Sequence, residues 1–280
     1  PEFSDMYVSK EIFESNISKE SIIKANKKIK LHDLLRHTSG FTYGRFGDSY
    51  AKRRLRASVL GKRPLPANMT SNDFVIALSQ YPLADYPGES WEYGRSTDVL
   101  GRVIEIASNK SLESFLDENI FSLLNMRDTG FYVERKNWNR IAEPFKDKEP
   151  SLINITKRPL FFKGGHGLLS TVPDYINFCH MMLNKGKFKG NQLLSKKTVE
   201  YMTTNHLHNN IKRSTSRIPG DGYGFGLGFA VRENDGVSVW PGTKGDYYWL
   251  GYGGTYFWID PIEELVAISM TQSVTKRDKI

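Results

Sequence analysis

The chain changes character about three quarters of the way along, and this change restricts its possible folds more than any other feature. Before about residue 205, apolar residues recur at helical spacing in the segments 71–80, 96–108, 111–126 and 171–186. After about residue 220, short aromatic and β-branched segments alternate with glycines and an Asp-Pro turn. Helices followed by antiparallel strands predict an α+β fold. Since no linker composition separates the halves, we expect one domain over 1–280, mostly helical over about 30–205 and a sheet over about 220–280.

Individual elements can be predicted from their start and stop signals. The segment 171–186 begins with a capping Thr171 and a first-turn Pro173 and ends at Gly186, which predicts a helix. The segment 96–108 carries apolar residues at positions 99, 100, 103, 106 and 107, a stripe expected to hold that helix in the core. The final strands are predicted in "TYFWIDP" and "ELVAISMTQ", joined by a turn at "IDPIEE".

A net charge of +8 raises nucleic acid as a partner. The basic stretches 24–30 and 51–63 have no interleaved aromatics, and the chain also contains 31 acidic residues. We therefore expect a solvated lysine-rich surface and no nucleic-acid partner. No apolar run approaches the roughly 20 residues of a membrane span.

Metal and disulfide chemistry find little support in the sequence. The one cysteine, Cys179, lies in an apolar helical pattern and is expected to be a small buried hydrophobe. His180, His206 and His208 have no second cysteine or acidic residue at ligand spacing. We expect neither a metal site nor a cofactor.

Four segments, in the same order along nearly the whole chain, carry a family resemblance. They are "LHDLLRHTSGFTYG", "PGESWEYGRSTDVLGRVIEIASNKSLESFLDENIFSLLNMRDTGF", "GGHGLLSTVPDYINF" and "GTYFWIDPIEELVAISMTQ". Together they resemble the serine β-lactamase-like superfamily, in the branch of class C β-lactamases, D-alanyl-D-alanine carboxypeptidases and family VIII carboxylesterases. The resemblance implies a β-lactamase-like α+β fold with an antiparallel sheet flanked by helices.

The resemblance also implies a catalytic tyrosine just before a helix, and Tyr93 of "WEYGRSTDVLG" stands at that position. A phenol has a pKa of about 10, but beside a catalytic ammonium it can act as base for a serine and then as acid for the leaving group. The alternative from the residues alone is a tyrosine packed at a helix start.

Arg95 stands where a β-lactamase carries Asn. An amide both donates and accepts hydrogen bonds, whereas a guanidinium only donates. This difference favours an ester, or a substrate with a carboxylate bound by Arg95, over a β-lactam or peptide. The alternative is that Arg95 points away from substrate and pairs with Glu92 or solvent.

The resemblance places the third catalytic element at Trp249-Leu250-Gly251, where β-lactamases carry Lys-Thr-Gly and the esterases often Trp-Gly-Gly. Trp249 resembles the esterases, and Leu250 departs from both patterns. The element works mainly through its backbone, and the family position assigns the N–H of Tyr252 as a donor to a developing oxyanion. Trp249 and Gly251 are expected to contact substrate.

The first catalytic element is a Ser-x-x-Lys that opens a long apolar helix. The residues "SIIK" at 21–24 match this motif, but they lie in a charged segment, and Lys24 is only 13 residues before His37, where the "HTSG" loop begins. We therefore interpret it as a chance match in an exposed loop and expect the nucleophile upstream of residue 1, with the N-terminal part of the fold missing from this chain. The intact protein is then predicted to be a serine hydrolase of small acyl compounds; the alternative is a non-catalytic binding or assembly protein without the nucleophile.

Overall fold

The computed structural model describes residues 1–14, 17–144, 153–213 and 219–274, without the side chains of 12–20. Numbered in chain order, its helices are α1 (Leu31–Leu35), α2 (Tyr50–Ala57), α3 (Ser71–Ser79), α4 (Ser96–Ser108), α5 (Leu112–Leu116), α6 (Val172–Leu183) and α7 (Lys196–Met202). Its strands are β1 (Tyr7–Glu14), β2 (Ile17–Lys24), β3 (Ser90–Trp91), β4 (Lys187–Phe188), β5 (Asn191–Gln192), β6 (Lys212–Arg213), β7 (Tyr223–Phe225), β8 (Ala230–Arg232), β9 (Tyr247–Leu250), β10 (Thr255–Asp260) and β11 (Leu265–Met270).

Contacts along the chain group the residues into two compact units. The first comprises Pro1–Asn109, Lys163–Gly165 and Leu207–Ile218, and the second comprises Lys110–Phe162, His166–His206 and Pro219–Ile280. The expectation of a single domain over 1–280 stays a prediction. The α+β prediction is confirmed, because helices and an antiparallel sheet both form.

The first unit combines an antiparallel hairpin with short helices. Strands β1 and β2 pair antiparallel from Tyr7 opposite Lys24 to Glu14 opposite Ile17. Helices α1 and α3 pack against α4. Helix α4 forms over the predicted residues and ends at Asn109, whose left-handed φ of 53° stops it.

The predicted apolar stripe of α4 is only partly buried. Val99 is 3% exposed, whereas Ile106 near the other end is 58% exposed. The buried residues in the first turns are instead small or polar, among them Ser96 and Asp98. The helix is therefore held at its N-terminal end, the end that follows Tyr93.

The second unit is built on a sheet with strand order β11-β10-β9-β8-β7, antiparallel throughout. The turn predicted at "IDPIEE" joins β10 to β11, and the Asp260 carboxylate accepts hydrogen bonds from the N–H groups of Ile262 and Glu263. Helix α6 begins at the capping Thr171 as predicted and packs on β10 and β11. Cys179 lies fully buried in the core between them, as expected.

One predicted helix differs from the structure, and two elements were not predicted. The segment 111–126 is not one α-helix, because α5 passes into a π-helical turn at Asp117–Phe121. Residues 7–14 and 17–24 form the hairpin β1–β2, and the basic stretch 51–63 contains most of α2. Both elements are rich in charged residues, which obscure the spacing of their apolar residues. Among the residues described, no helix has the length and apolar character to cross a membrane.

Candidate active site

Tyr93 lies between β3 and α4 in the first unit, half-buried among aromatic rings. Its ring centroid is 4.9 Å from that of His37, 5.4 Å from that of Tyr43 and 6.1 Å from that of Phe46. The Trp91 ring stacks nearly parallel to it at 6.2 Å. Rings on several sides leave the tyrosine little rotational freedom, so the fold positions its phenol.

The loop 37–44, which includes the "HTSG" residues, ties down the backbone on both sides of Tyr93. The Glu92 N–H donates to the His37 carbonyl at 2.8 Å. The hydroxyls of Ser39 and Ser96 are 2.8 Å apart and hydrogen-bonded, and both residues are fully buried. The residue before Tyr93 and the first residue of α4 are therefore both joined to this loop.

The glycine after Tyr93 is required by close backbone packing. A Cβ on Gly94 would lie 2.1 Å from the Phe41 carbonyl oxygen, a distance that no side chain tolerates. His37 has a φ of 57°, in the left-handed region. The close approach of Gly94 to Phe41 brings the loop 37–44 against the residue after Tyr93.

A buried ion pair holds Glu92, the residue before Tyr93. The Lys52 ammonium lies 2.9 Å from the Glu92 carboxylate and donates to the Phe46 carbonyl at 2.7 Å. The Thr42 hydroxyl donates to the same carboxylate at 2.7 Å. Burial raises the pKa of Glu92, and the nearby Lys52 charge opposes this effect.

Arg95 has a set of partners within the protein. Its side chain is 4% exposed and lies 3.2 Å from the Asp98 carboxylate. A second guanidinium nitrogen donates to the Leu60 carbonyl at 2.7 Å, and the guanidinium lies 4.8 Å from the Tyr43 ring centroid. The alternative in which Arg95 pairs with Glu92 is wrong, because its acidic partner is Asp98. Contact of Arg95 with a substrate stays a prediction, and this burial argues against it.

Asp98 is the acidic centre of a buried cluster near Tyr93. It is 0% exposed and accepts a hydrogen bond from the Gly165 N–H at 2.9 Å. Burial lowers the pKa of His37 to about 4, with a smaller opposing effect of the Asp98 charge. Burial also raises the pKa of Tyr43 well above its ordinary value and lowers the pKa of Lys163. His37 is therefore neutral at pH 7.

The "SIIK" match lies in strand β2, and its expected placement in an exposed loop is wrong. Side chains of a strand alternate between its faces, so Ser21 and Lys24 project to opposite sides. The Lys24 ammonium forms an exposed ion pair with Asp5 at 2.8 Å. This geometry does not let the amine take the Ser21 proton.

A second Ser-x-x-Lys, which the sequence reasoning missed, opens helix α2. Ser49 caps the helix and accepts a hydrogen bond from the Lys52 N–H at 3.4 Å. The Lys52 ammonium is held by the Glu92 carboxylate and the Phe46 carbonyl. The contacts of this motif are therefore those of a helix cap and a buried ion pair.

The residues of the predicted third element lie in the second unit. Trp249 is in β9, opposite Phe257 of β10, and its ring is 5.2 Å from that of Phe225. Gly251 starts the turn between these strands and donates through its N–H to the Thr255 carbonyl at 2.8 Å. Tyr252 is at the tip of that turn and is 44% exposed. Their catalytic and substrate-binding roles stay predictions.

A Cβ at Gly251 would lie 2.0 Å from the Thr255 hydroxyl, so this tight turn needs a glycine. Within the described ranges, no group of three or more His, Cys, Asp or Glu residues could hold a metal ion. The sequence reasoning missed two residues around Tyr93: Tyr43, whose ring contacts the Tyr93 ring, and Lys52, which pairs with the neighbouring Glu92. Tyr43 follows the "HTSG" residues closely, and Lys52 belongs to the overlooked "SYAK" at 49–52.

Comparisons with known proteins give a family match and several similar proteins. A family model described as beta-lactamase matches residues 22–279. The protein Rv1367c of Mycobacterium tuberculosis is 31% identical over 261 residues, which cover 89% of this chain and 63% of that protein. The lovastatin esterase of Penicillium rubens is 30% identical over 195 residues, which cover 65% of this chain and 45% of the esterase. The chain thus spans less than two thirds of the length of these relatives.

Among solved structures, the fold is similar to that of EstCE1, described as a hydrolase with promiscuous acyltransferase activity. The TM-score is 0.76 at 22% identity, covering 90% of this chain and 69% of EstCE1. At this identity the similarity concerns the fold alone.

Proposed function

Because the chain belongs to the beta-lactamase family, we propose that the full-length protein is a serine hydrolase that acts through an acyl-enzyme. Its proposed substrates are small esters or related acyl compounds. The observation that carries this proposal is Tyr93, enclosed by aromatic rings and followed directly by the buried first turn of α4. The esterase among the similar proteins supports the choice of an ester substrate.

In the proposed reaction, the nucleophile is the serine of a Ser-x-x-Lys motif N-terminal to residue 1. In this proposal Tyr93 starts as a phenolate stabilised by the ammonium of the same motif's lysine. The phenolate takes the proton of the serine as the serine oxygen attacks the acyl carbon, and the resulting phenol returns that proton to the departing alkoxide. In the second half, Tyr93 takes a proton from an attacking water and returns it to the serine as the acyl group leaves. The tyrosine therefore ends each cycle in its starting state.

The main-chain N–H of Tyr252 is proposed as a donor to the oxyanion of the tetrahedral intermediate, with Trp249 and Gly251 beside it. The short turn supports this role, because the Gly251 and Gly254 N–H groups are both bonded within the turn and its strands. A rigid backbone donor needs no reorganisation as charge develops on the oxygen. Leu250 is compatible with the role, since a backbone group does the work.

A non-catalytic binding or assembly protein is the second candidate. It is favoured by one observation on the described residues: the Ser-x-x-Lys matches at 21–24 and 49–52 both lack the geometry of a nucleophile and its base. The two candidates differ in whether any serine of the full-length protein becomes acylated.

The test is to treat the full-length protein with a fluorophosphonate probe and to map the labelled peptide by mass spectrometry. The proposal predicts one labelled serine, N-terminal to residue 1, whose replacement by alanine abolishes hydrolysis of 4-nitrophenyl butyrate. Ser21→Ala and Ser49→Ala are the matched controls and should keep both labelling and hydrolysis. A protein that neither reacts with the probe nor hydrolyses the ester would support the non-catalytic candidate, and a label on Ser21 or Ser49 would refute the proposed nucleophile.

A further inference from the structure

The Asp98 carboxylate joins three segments of the first unit. It lies 3.2 Å from the Arg95 guanidinium and accepts a hydrogen bond from the Gly165 N–H at 2.9 Å. Arg95 in turn donates to the Leu60 carbonyl at 2.7 Å. Since the Asp98 side chain is fully buried, these protein groups take the place of water around its charge. The fold therefore holds an anion at a fixed position, shortly after Tyr93 in the sequence.

The same carboxylate lies close to the hydroxyl of Tyr43. A Cβ on Gly165 would lie 2.9 Å from the Asp98 Oδ1 atom and 3.0 Å from the Tyr43 hydroxyl oxygen. The two oxygens thus border one point next to the glycine, which has no side chain to fill it. The centroid of the Tyr43 ring is 5.4 Å from that of the Tyr93 ring. The Tyr43 side chain therefore links the surroundings of Asp98 to those of Tyr93.

The charge of Asp98 acts on titratable groups of both loops that pack against it. Burial raises the pKa of Tyr43 well above its ordinary value, and the Asp98 charge adds to this effect. Burial lowers the pKa of His37 to about 4 and also lowers the pKa of Lys163, and the Asp98 charge opposes burial in both cases. The rings of His37 and Tyr43 are in contact with the Tyr93 ring. The field of the carboxylate therefore reaches the immediate surroundings of Tyr93.

Several other titratable and charged groups surround Tyr93 and Asp98. They are His37 and Tyr43 of the loop 37–44, Lys52 and Arg63 of the segment 45–63, Glu92 and Arg95 on either side of Tyr93, and Lys163. Glu92 is paired with Lys52, whereas Asp98 is the acidic partner of the buried Arg95. A neutral residue in place of Asp98 would therefore leave the Arg95 charge without this anion.

We propose that Asp98 is a positioning residue of the candidate active site, whose carboxylate balances the Arg95 charge and thereby sets the pH range in which Tyr93 loses its proton. The proposal rests on the proposed function and specifies how that site depends on pH. Asp98 acts through its neighbours and is not assigned a contact with the substrate.

The sign of the expected effect follows from the charges. Additional positive charge favours the phenolate over the phenol, so a tyrosine beside it loses its proton at lower pH. In the proposed reaction Tyr93 starts as the phenolate, and the rate therefore falls as the pH decreases and Tyr93 takes up a proton. Removal of the Asp98 charge should move this acidic limb of the pH profile to lower pH.

The first arm of the test measures kcat/KM of the full-length protein for 4-nitrophenyl butyrate between pH 5 and pH 9.5, with rates expressed per serine labelled by the fluorophosphonate probe. Asp98→Asn should move the acidic limb to lower pH by about half a unit or more. Glu105→Gln is the matched control, because Glu105 pairs with Arg102 at 3.3 Å on the same helix and with the same spacing of three residues. It should leave the acidic limb where it is in wild type.

A second variant keeps the test decisive if Asp98→Asn does not fold. Lys163 is only partly buried, and Lys163→Gln leaves the pair of Arg95 and Asp98 intact. Because it removes a cation near Asp98, it should move the acidic limb in the opposite direction, to higher pH. A limb that stays in place in both variants, even with a lowered thermal midpoint, would show that Asp98 only stabilises the fold and would overturn the proposal. Equal shifts in Asp98→Asn and Glu105→Gln would overturn it as well.

The second arm measures the ionisation of Tyr93 without turnover, so it separates this inference from the proposed function. The full-length protein is labelled with 3-fluorotyrosine, and the resonance that Tyr93→Phe removes from the fluorine NMR spectrum is followed as the pH is raised. In Asp98→Asn this resonance should titrate at lower pH than in wild type, and in Lys163→Gln at higher pH. If the ester is not hydrolysed but these shifts are found, the proposed function fails and the role of Asp98 stands. A Tyr93 resonance that titrates alike in all three proteins, or in none of them, refutes the proposal whatever the rates.

Discussion

The buried His37 makes the stability of the protein depend on pH in a way that can be calculated. Its pKa is lowered from 6.5 to about 4 by burial. Between these values the unfolded chain binds a proton that the folded chain does not, so the contribution is fully present above pH 6.5 and is lost as pH falls towards 4. The difference amounts to about 3 kcal/mol in all, and to about 2 kcal/mol between pH 7.5 and pH 5.

The substitution His37→Asn removes this titration and suits the local backbone. Asparagine tolerates the left-handed φ of 57° at this position. Loss of the ring contacts with Trp91 and Tyr93 should lower stability at pH 7.5 by about 1–3 kcal/mol. Between pH 7.5 and pH 5, however, the variant should lose about 2 kcal/mol less than wild type does.

The assay is urea unfolding of the full-length protein at pH 7.5, 6.5, 5.5 and 5, followed by tryptophan fluorescence. His208→Asn is the matched control, because His208 is exposed, and it should keep the wild-type pH dependence. If His37→Asn and wild type lose the same free energy over this range, then His37 is not held neutral by burial and the electrostatic argument is refuted.

Two further predictions concern the support of Tyr93. Lys52→Met should lower the unfolding free energy by about 3–5 kcal/mol, because it leaves the Glu92 carboxylate buried without its cation, and adding Glu92→Gln should recover part of the loss in a double-mutant cycle. Gly94→Ala should lower the unfolding free energy by about 1–3 kcal/mol or more, because the new Cβ would meet the Phe41 carbonyl. Its control, Gly130→Ala, should cost less than about 1 kcal/mol, because the nearest neighbour of that Cβ is 3.9 Å away. Thermal and urea unfolding check both predictions. Full additivity in the first case, or equal losses in the second, would contradict these contacts.

Much of the fold could be predicted because local signals and tertiary packing agree. Helix α6 begins at Thr171 as expected, since its capping residue, first-turn proline and apolar spacing all favour the same start. The hairpin β10–β11 also formed as expected, with Asp260 bonding the turn. In both segments, residues close together in the sequence determine the local structure.

The hairpin β1–β2 and helix α2 could not be predicted, because charged and polar side chains make up half or more of each element and hide the period of the apolar ones. In α2 only Ala51, Lys52 and Leu55 are buried, and one of these is a lysine. Its burial depends on a carboxylate about forty positions away in the sequence, Glu92, which no local pattern reveals.

Arg95 shows the same limit at the candidate site. Its position in the motif predicted a substrate contact, and the alternative paired it with Glu92. Asp98 lies three residues after Arg95 and on the same side of the helix, and its carboxylate pairs with the buried Arg95 guanidinium. Burial of this part of α4 by the loop 37–44 and by Lys163–Gly165 depends on contacts that are distant in sequence.

The central claim is that the Tyr93 hydroxyl moves protons, and Tyr93→Phe in the full-length protein tests it most directly. The ring and its contacts with His37, Tyr43 and Trp91 remain, so the thermal midpoint should change little. The rate of 4-nitrophenyl ester hydrolysis should fall by about 10²–10⁴-fold, the range for a positioned acid–base group. Tyr86→Phe, at another half-buried tyrosine of the first unit, should keep the wild-type rate. A Tyr93→Phe variant that hydrolyses the ester within a few-fold of wild type at an unchanged midpoint would contradict the account.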